Sequence, residues 1–479
     1  MKILLTTEGT FPYTGGGVST WAVSLTRGLA HHQFAVAAVV ANPPDRPTMA
    51  LPPNVAVLAV PLWGLEMVEE YLPLRRGLWR RRRTTTAAVA TRFLPPLELL
   101  FDQVLVADAD PGQVAEVLGE LAAFAEQADL RRAMQDERVW RMLHARLVAN
   151  PLYRHATFGE AADLARTLYR YLLPLAVPVP DVDVVHASAS ALCALPAIAA
   201  KVRRGIPLVL TEHGIYLRER ILELVQREVS TLEKVMFSNL YRAIARAAYH
   251  VADRVAPVCH YNVRWERELG LDPSKVRVIY NGVDPGRFSP SPPPAGRPTL
   301  VWVGRIQPLK DLLTLIRAVA LVAGAVPGVR CLLYGPDTDP GYAAQCRRTV
   351  TAAGLDEVVA FEGPVADASA AFARADVVVL SSMSEGFPYT VVEAMMCGRP
   401  VVATDVGGVA EALDDRSLLA EPQNAASLAA ALLGQLRRSP GEREALGQRL
   451  RQRAVERFDE RRFLDGYDRL YRELDGCLV

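Results

Sequence analysis

Short apolar runs and stretches of helical periodicity alternate along most of the chain. Residues 3–6, 34–40, 183–187, 208–211, 255–258 and 276–280 read as strands, several of them apolar almost throughout, as in parallel strands buried on both faces. After the first, Trp21, Leu25 and Leu29 recur at a spacing of four and predict an amphipathic helix over 18–30. A long helical tract covers 217–250. A second series of strands follows at 300–303, 329–333, 358–361, 377–380 and 400–403, again separated by helices. Such alternation predicts an α/β protein built on doubly wound parallel sheets. Residues 61–180 interrupt it with irregular helical patterning and read as an insertion. Near the end, Phe463, Tyr467, Leu470, Tyr471 and Leu474 form one apolar helical face, and no strand follows.

Length then requires more than one core, because 479 residues exceed what a single ordinary domain buries. Residues 289–298, dominated by proline, are expected to be a stiff linker between a first domain over 1–288 and a second over 299–457. Half the residues are hydrophobic, 22% are charged and the net charge is +1, so bulk electrostatics give no argument for nucleic acid. The six cysteines are scattered, without metal-ligand spacing, and read as thiols of a reducing compartment. The opening apolar run is too short for a signal peptide, and no long window is apolar enough to span a membrane. The expected location is cytoplasmic. Arginines clustered across 75–83 around Trp79 admit a peripheral contact with an anionic membrane or a polyanionic acceptor; the plainer reading is a solvated face balanced by Glu66, Glu69 and Glu70.

Candidate chemistry concentrates at 384–398. The buried run 377–380 leads into a turn containing Gly386, and Pro388 suits the first position of a helix. A strand, glycine turn and helix start present free N–H groups and a positive helix end to an anion such as phosphate. Glu385 and Glu393 bracket the turn at a spacing of eight. Carboxylates beside a phosphate site are costly unless neutral hydroxyls donate to them, and a sugar and a ribose supply such hydroxyls. In the loop after the first strand of the second domain, Arg305 and Lys310 supply two cations that can stabilise a diphosphate leaving group. His186 and His213 each close a strand of the first domain, where a side chain is expected to meet a ligand crevice.

Two other patterns weigh less. Gly15, Gly16 and Gly17 suggest a dinucleotide fingerprint, yet Thr20 occupies the third glycine position and no acid ends the next strand. A loop approaching a diphosphate or sugar fits better. The Asp108/Asp110, Asp181/Asp183 and Asp337/Asp339 triplets read as chance, and no metal is expected.

Taken together, the glycine loop, His213, the Arg305/Lys310 pair and the Glu385/Glu393 pair resemble, in order, the retaining family 4 glycosyltransferases of the GT-B fold. Residues 8–13 with 16–19, and 211–216 with 218–220, resemble a narrower group, the PelF-like enzymes of exopolysaccharide synthesis. The resemblance implies two Rossmann-like domains facing across a cleft, with residues 458–479 returning to the first. It implies a hexosyltransferase using a UDP-sugar, UDP-glucose above all, and neither cofactor nor metal. Arg305 and Lys310 would hold the diphosphate, Glu393 the ribose, and Glu385 with the backbone of Gly386 and Phe387 the sugar. The backbone of Thr390 and Val391 would meet phosphate, Gly16 and Gly17 would approach it from the first domain, and Gly363, Pro364 and Val365 would flank the base. His213 would stand near the reacting sugar, with Glu8, Tyr13 and His186 as candidates on the side of an unidentified sugar or glycoconjugate acceptor. Phe387-Pro388-Tyr389 departs from the PelF-like Gln-Pro-Leu, so donor specificity is expected to be decided there. The rival readings are another GT-B enzyme, including one using a GDP- or ADP-sugar, and a non-catalytic sugar-nucleotide-binding subunit.

Overall fold

The structure is a computed structural model that describes residues 1–41, 46–61, 74–226, 228–292, 294 and 296–476. Its contacts divide the described residues into two units: one spans Met1–Pro257, Val263–Val278 and Tyr467–Val479, the other Val258–Asn262 and Ile279–Gly466.

The first unit is built on a six-stranded sheet of order β3-β2-β1-β4-β5-β6. Its strands are β1 (Lys2–Glu8), β2 (Gln33–Val40), β3 (Val55–Pro61), β4 (Val184–Ala187), β5 (Leu208–Glu212) and β6 (Arg254–Pro257), all parallel. The expected strand at 276–280 is reduced to one bridge between Val276 and Val255. The interrupting region contributes helices that include Leu94–Val104, Pro111–Gln127 and Phe158–Leu172, whose apolar faces join the same core as the sheet. Phe93 lies 4.9 Å from Phe124 between ring centroids, and the Tyr241 hydroxyl donates to that of Tyr171 at 2.7 Å. Helix Leu74–Arg83 carries the arginine cluster, with Leu78 48% and Trp79 44% exposed. Glu66, Glu69 and Glu70 lie outside the described residues.

The second unit repeats the plan. Its sheet has the order β12-β11-β10-β7-β8-β9, comprising β7 (Thr299–Val303), β8 (Arg330–Tyr334), β9 (Val359–Gly363), β10 (Val377–Leu380), β11 (Val401–Thr404) and the two-residue β12 (Leu419–Ala420). Counted within each unit, both sheets have the order 3-2-1-4-5-6, a doubly wound arrangement of the kind the alternation predicts, with β3 an addition to the predicted strands. In that order the chain reverses direction between strands 1 and 4, and loops leaving their carboxyl ends diverge to open a crevice. The switch points are therefore β1/β4 and β7/β10.

The proline-rich stretch differs from expectation. It lies inside the second unit, where the Arg399 guanidinium donates to the carbonyls of Ser291 at 3.1 Å and Pro292 at 2.8 Å. A stiff segment with few backbone donors is thus tied down by a single buried arginine.

Among the described residues no helix is long and apolar enough to cross a membrane. In the second unit, helix Pro440–Phe458 packs so closely that a Cβ on Gly447 would stand 1.9 Å from the Gly398 carbonyl oxygen. Gly447→Ala is expected to cost at least about 1–3 kcal/mol as the helix is forced off its neighbour, read from urea denaturation; an unchanged midpoint would contradict the contact.

Candidate active site

At the β7/β10 switch point, two loops are laced together by their backbones. After β7, a short turn at Pro308–Lys310 ends on Asp311, whose backbone is left-handed at φ 46° and whose carboxylate caps the next helix at Thr314 N (3.2 Å). Aspartate tolerates that conformation better than most residues. After β10, Ser381 Oγ donates to the Lys310 carbonyl at 2.8 Å, and Met383 N donates to the Leu309 carbonyl at 2.9 Å. This seating brings Lys310 Nζ to 2.5 Å from Glu385 Oε1, which also accepts from Ser382 Oγ at 2.5 Å. The Lys310 and Glu385 side chains are only 19% and 12% exposed. The site therefore pairs Lys310 with Glu385, two groups expected from sequence to hold separate parts of a ligand.

Close backbone approach fixes the Glu385 loop. Gly407 has φ +57°, and a Cβ there would lie 2.0 Å from the Glu385 carbonyl oxygen. Gly408 N donates to the Gly386 carbonyl at 2.7 Å, and Asn281 Nδ2 to that of Phe387 at 2.8 Å. Gly335 plays the same part for the cation loop: a Cβ would stand 1.6 Å from the Gly304 carbonyl oxygen, and Gly335 N donates to Gly363 O at 2.9 Å. Gly363, Pro364 and Val365 thus leave the same carboxyl edge, beyond β8. Gly335, Gly407 and Gly408 were not singled out from sequence, and Asn281 was read only as part of a tight Asn-Gly turn at 281–284. The Gly407-Gly408 pair shortly after a buried strand was the available signal.

The helix that follows spans Tyr389–Met396, with Pro388 at its N-cap rather than inside it and no side chain capping it. The N–H groups of Thr390 and Val391 in its first turn accordingly lack intrahelical partners. Val391 is buried, so only its backbone can serve a ligand. Glu393 lies one turn on; burial lifts its carboxyl to about 7, with the Arg287 charge opposing and Asp367 adding. Arg305 is exposed.

In Phe387 the side chain does not suit the specificity role expected of residues 387–389, while the backbone role expected of that residue is untouched. Its side chain is 3% exposed and packs 5.0 Å from both Tyr280 and Phe458 between ring centroids. Its ring holds the loop to the core, and only its backbone remains for the sugar.

In the first unit His186 is likewise a core residue. It is fully buried, with Nδ1 2.6 Å from the Tyr471 hydroxyl and Nε2 2.8 Å from Thr211 Oγ1. Thr211 also bonds the Tyr467 hydroxyl at 2.9 Å, to which Trp21 Nε1 donates at 3.2 Å. A histidine bonded through both nitrogens has no capacity left for an acceptor. His213 differs. Its ring stands edge-on to Trp21 at 4.8 Å, its Nε2 is buried with no hydrogen bond, and burial holds its imidazole down to about 3, hence neutral. Glu8 accepts from the Tyr216 hydroxyl at 2.6 Å and from Cys193 N at 3.2 Å; burial raises its carboxyl, against those bonds and the charge of Arg220. Glu212, missed from sequence, accepts from Ser190 N at 2.9 Å and the Tyr249 hydroxyl at 3.1 Å, and burial pushes it up to about 7. Gly16 caps helix Gly17–Gly28 without a side chain, leaving that helix start open, and Tyr13 sits half-buried before it.

The aspartate triplets carry structural duties. Asp110 and Asp339 cap helices, Asp183 accepts from Lys2 N at 2.7 Å, and Asp108, Asp181 and Asp337 pair with Arg246, Arg204 and Arg347.

Two doubly wound units with this strand order define a GT-B protein. The chain belongs to the family described as Domain of unknown function (DUF3492), matched over residues 1–274, and residues 297–438 match the family Glycosyl transferases group 1. It is 32% identical over 229 residues to a D-inositol 3-phosphate glycosyltransferase of Segniliparus rotundus, covering 45% of this chain and 49% of that protein. Its likeness to the Actinosynnema mirum enzyme of the same name is 32% over 269 residues, or 52% and 62% of the two chains. The chain thus spans about half to three-fifths of the length of these relatives. Among solved structures, it is similar to Anabaena HepE in complex with UDP (TM-score 0.60, 18% identity, 99% of this chain and 100% of that chain) and to sucrose-phosphate synthase from Thermosynechococcus elongatus (TM-score 0.64, 20% identity, 99% of each).

Replacing His186 with alanine strands the Tyr471 hydroxyl and Thr211 Oγ1. It should lower unfolding free energy by at least about 2 kcal/mol in chemical denaturation; a variant as stable as the parent would contradict the core assignment.

Proposed function

We propose that the chain is a retaining glycosyltransferase that moves a hexose, with glucose the first choice, from a UDP-sugar to an acceptor hydroxyl without a metal. The observation that carries this reading is the Lys310–Glu385 pair at the β7/β10 switch point, beside an open helix start and Glu393. A diphosphate gives Lys310 a stronger partner than Glu385, and a sugar hydroxyl gives the released Glu385 a donor. The group 1 family match over 297–438, which spans the cation loop and both acids, supports this assignment. HepE has been crystallised with UDP-glucose, which supports the choice of donor.

In this mechanism the bond from sugar C1 to the β-phosphate oxygen breaks as the acceptor oxygen bonds to C1 on the same face. The acceptor proton passes to the departing phosphate oxygen. The leaving diphosphate gains negative charge, which Lys310 and Arg305 stabilise as fixed cations. Glu393 reads the ribose diol, Glu385 the sugar, and the Gly386, Thr390 and Val391 backbones the phosphate and sugar. Within the first unit, Gly16, Gly17 and the neutral His213 keep the donor-side roles that the resemblance implies, and Glu8 and Tyr13 those on the acceptor side. The PelF-like stretches of that unit support a role in exopolysaccharide synthesis. Exposed Leu78 and Trp79 among arginines support a peripheral contact with an anionic surface.

Lys310→Ala should lower UDP release from UDP-glucose by about 10²–10³-fold; undiminished turnover would sink the diphosphate assignment, and binding without turnover by wild type with any donor or acceptor would favour a binding subunit. Glu393 accepts from ribose hydroxyls most strongly when ionised, and burial lifts its carboxyl to about 7. Affinity for UDP-glucose should therefore be full in mild base and fall as pH drops below that value, by at most about tenfold per pH unit and levelling off once the carboxyl is neutral. Glu393→Gln should flatten the profile; an unchanged slope in that variant would remove Glu393 from the ribose site.

A further inference from the structure

In the first unit, away from the switch point, two adjacent histidines converge on one carboxylate oxygen. His31 Nε2 and His32 Nε2 lie 2.8 and 2.9 Å from Asp468 Oδ1. The ring centroids of the histidines are 4.2 Å apart. We propose that His31, His32 and Asp468 form a binding site for one borderline transition-metal ion of the zinc class, which fastens the end of the last helix, Glu460–Leu474, to the first unit.

Neighbours in sequence seldom point the same way, since consecutive residues of a strand face opposite sides. Here His31 sits in the turn after helix Gly17–Gly28 and His32 immediately before β2, so the turn brings both rings to one side. The His32 backbone is held at both ends: its N–H donates to the Leu29 carbonyl at 3.0 Å, and its carbonyl accepts from Asn54 Nδ2 at 2.9 Å. Phe34 and Tyr471 stand edge-on to its ring at 6.4 and 5.8 Å. All three ligand atoms lie within 4.8 Å of one another. An ion with bonds of about 2.0–2.2 Å holds its donors about 3–3.5 Å apart, a small adjustment from this arrangement.

The surroundings fit an ion as well as the ligands do. Asp468 Oδ2 accepts from Arg472 at 2.8 Å, an outer partner that orients the carboxylate. The His31 side chain is 52% exposed, leaving a path for the ion and positions for water, while that of His32 is 4% exposed. Neutral imidazoles and an ionised carboxylate are the ligand forms a metal requires. Two imidazoles with one carboxylate suit zinc, nickel or cobalt, whereas magnesium and calcium prefer all-oxygen sites. Without an ion, two N–H groups share one oxygen; to bind an ion, each imidazole frees its Nε2 lone pair by carrying its proton on Nδ1, which in His32 lies 3.4 Å from the Met1 amino group.

Asp468 adjoins Tyr467 and precedes Tyr471 by less than one turn, and these tyrosines close the hydrogen-bonded chain through Trp21, Thr211 and His186. An ion at this point would fix that chain from its outer end.

The test uses the full chain, stripped with EDTA and desalted, then titrated with Zn²⁺ by calorimetry and thermal melting, and with Co²⁺ by visible absorption. One equivalent should bind at micromolar metal with a rise in Tm and tetrahedral cobalt bands, while Mg²⁺ has no effect. His31→Ala, at an exposed position that leaves the fold intact, and Asp468→Asn should each weaken binding by at least about tenfold. Zinc affinity unchanged in His31→Ala, no binding at micromolar zinc, or an equal response to magnesium would overturn the proposal.

Discussion

A lysine ammonium and a glutamate carboxylate, each largely buried and 2.5 Å apart, set the terms for the second unit. Neither charge would be tolerated alone there, because removing either partner leaves the other desolvated and uncompensated. Both must therefore be satisfied together, by each other or by a ligand that supplies an anion to one and hydroxyl donors to the other. Geometry allows the exchange because the flanking carbonyls are already engaged: those of Leu309 and Lys310 by the β10 loop, and those of Gly386 and Phe387 by Gly408 and Asn281. Only the side chains are left to move.

That rigidity rests on glycine. Gly335 and Gly407 each bring backbone against a carbonyl oxygen at a distance no side chain permits, in conformations that favour glycine. Where sheets of this order diverge, loops would otherwise stand apart; these contacts convert the gap at β7/β10 into a fixed cradle. In the first unit the corresponding stabilisation is aromatic and polar, running from Trp21 through Tyr467 and Thr211 to His186 and Tyr471. It leaves His213 above it with an unmet ring nitrogen in a buried setting.

Much of this could be read from sequence, although β3, whose apolar run Val55–Val60 was legible, is absent from the predicted strands. Strands such as β2 and β10 announced themselves because parallel strands are apolar on both faces, whereas the two-residue β12 offers no run to detect. Lys310, Glu385 and Glu393 stood out because charges beside a buried strand and a glycine turn are costly without a purpose. What remained hidden depended on partners far along the chain. His186 and His213 close adjacent strands in the same way; only Tyr471, arriving 285 residues later, makes the first a core residue. Phe387 looked like a specificity position until Tyr280 and Phe458 enclosed it. The prolines of 289–298 read as a linker because Arg399, which binds them, lies over a hundred residues away.

The central claim is that the Lys310–Glu385 turn is a seat for a nucleoside diphosphate sugar. Calorimetric titration of the intact chain with UDP-glucose, UDP, GDP-mannose and ADP-glucose tests it most directly. The account predicts single-site binding of UDP and UDP-glucose, with the guanosine and adenosine donors far weaker. Binding of GDP-mannose with none of UDP or UDP-glucose would contradict the donor assignment, and binding of no nucleotide at all would contradict the claim itself.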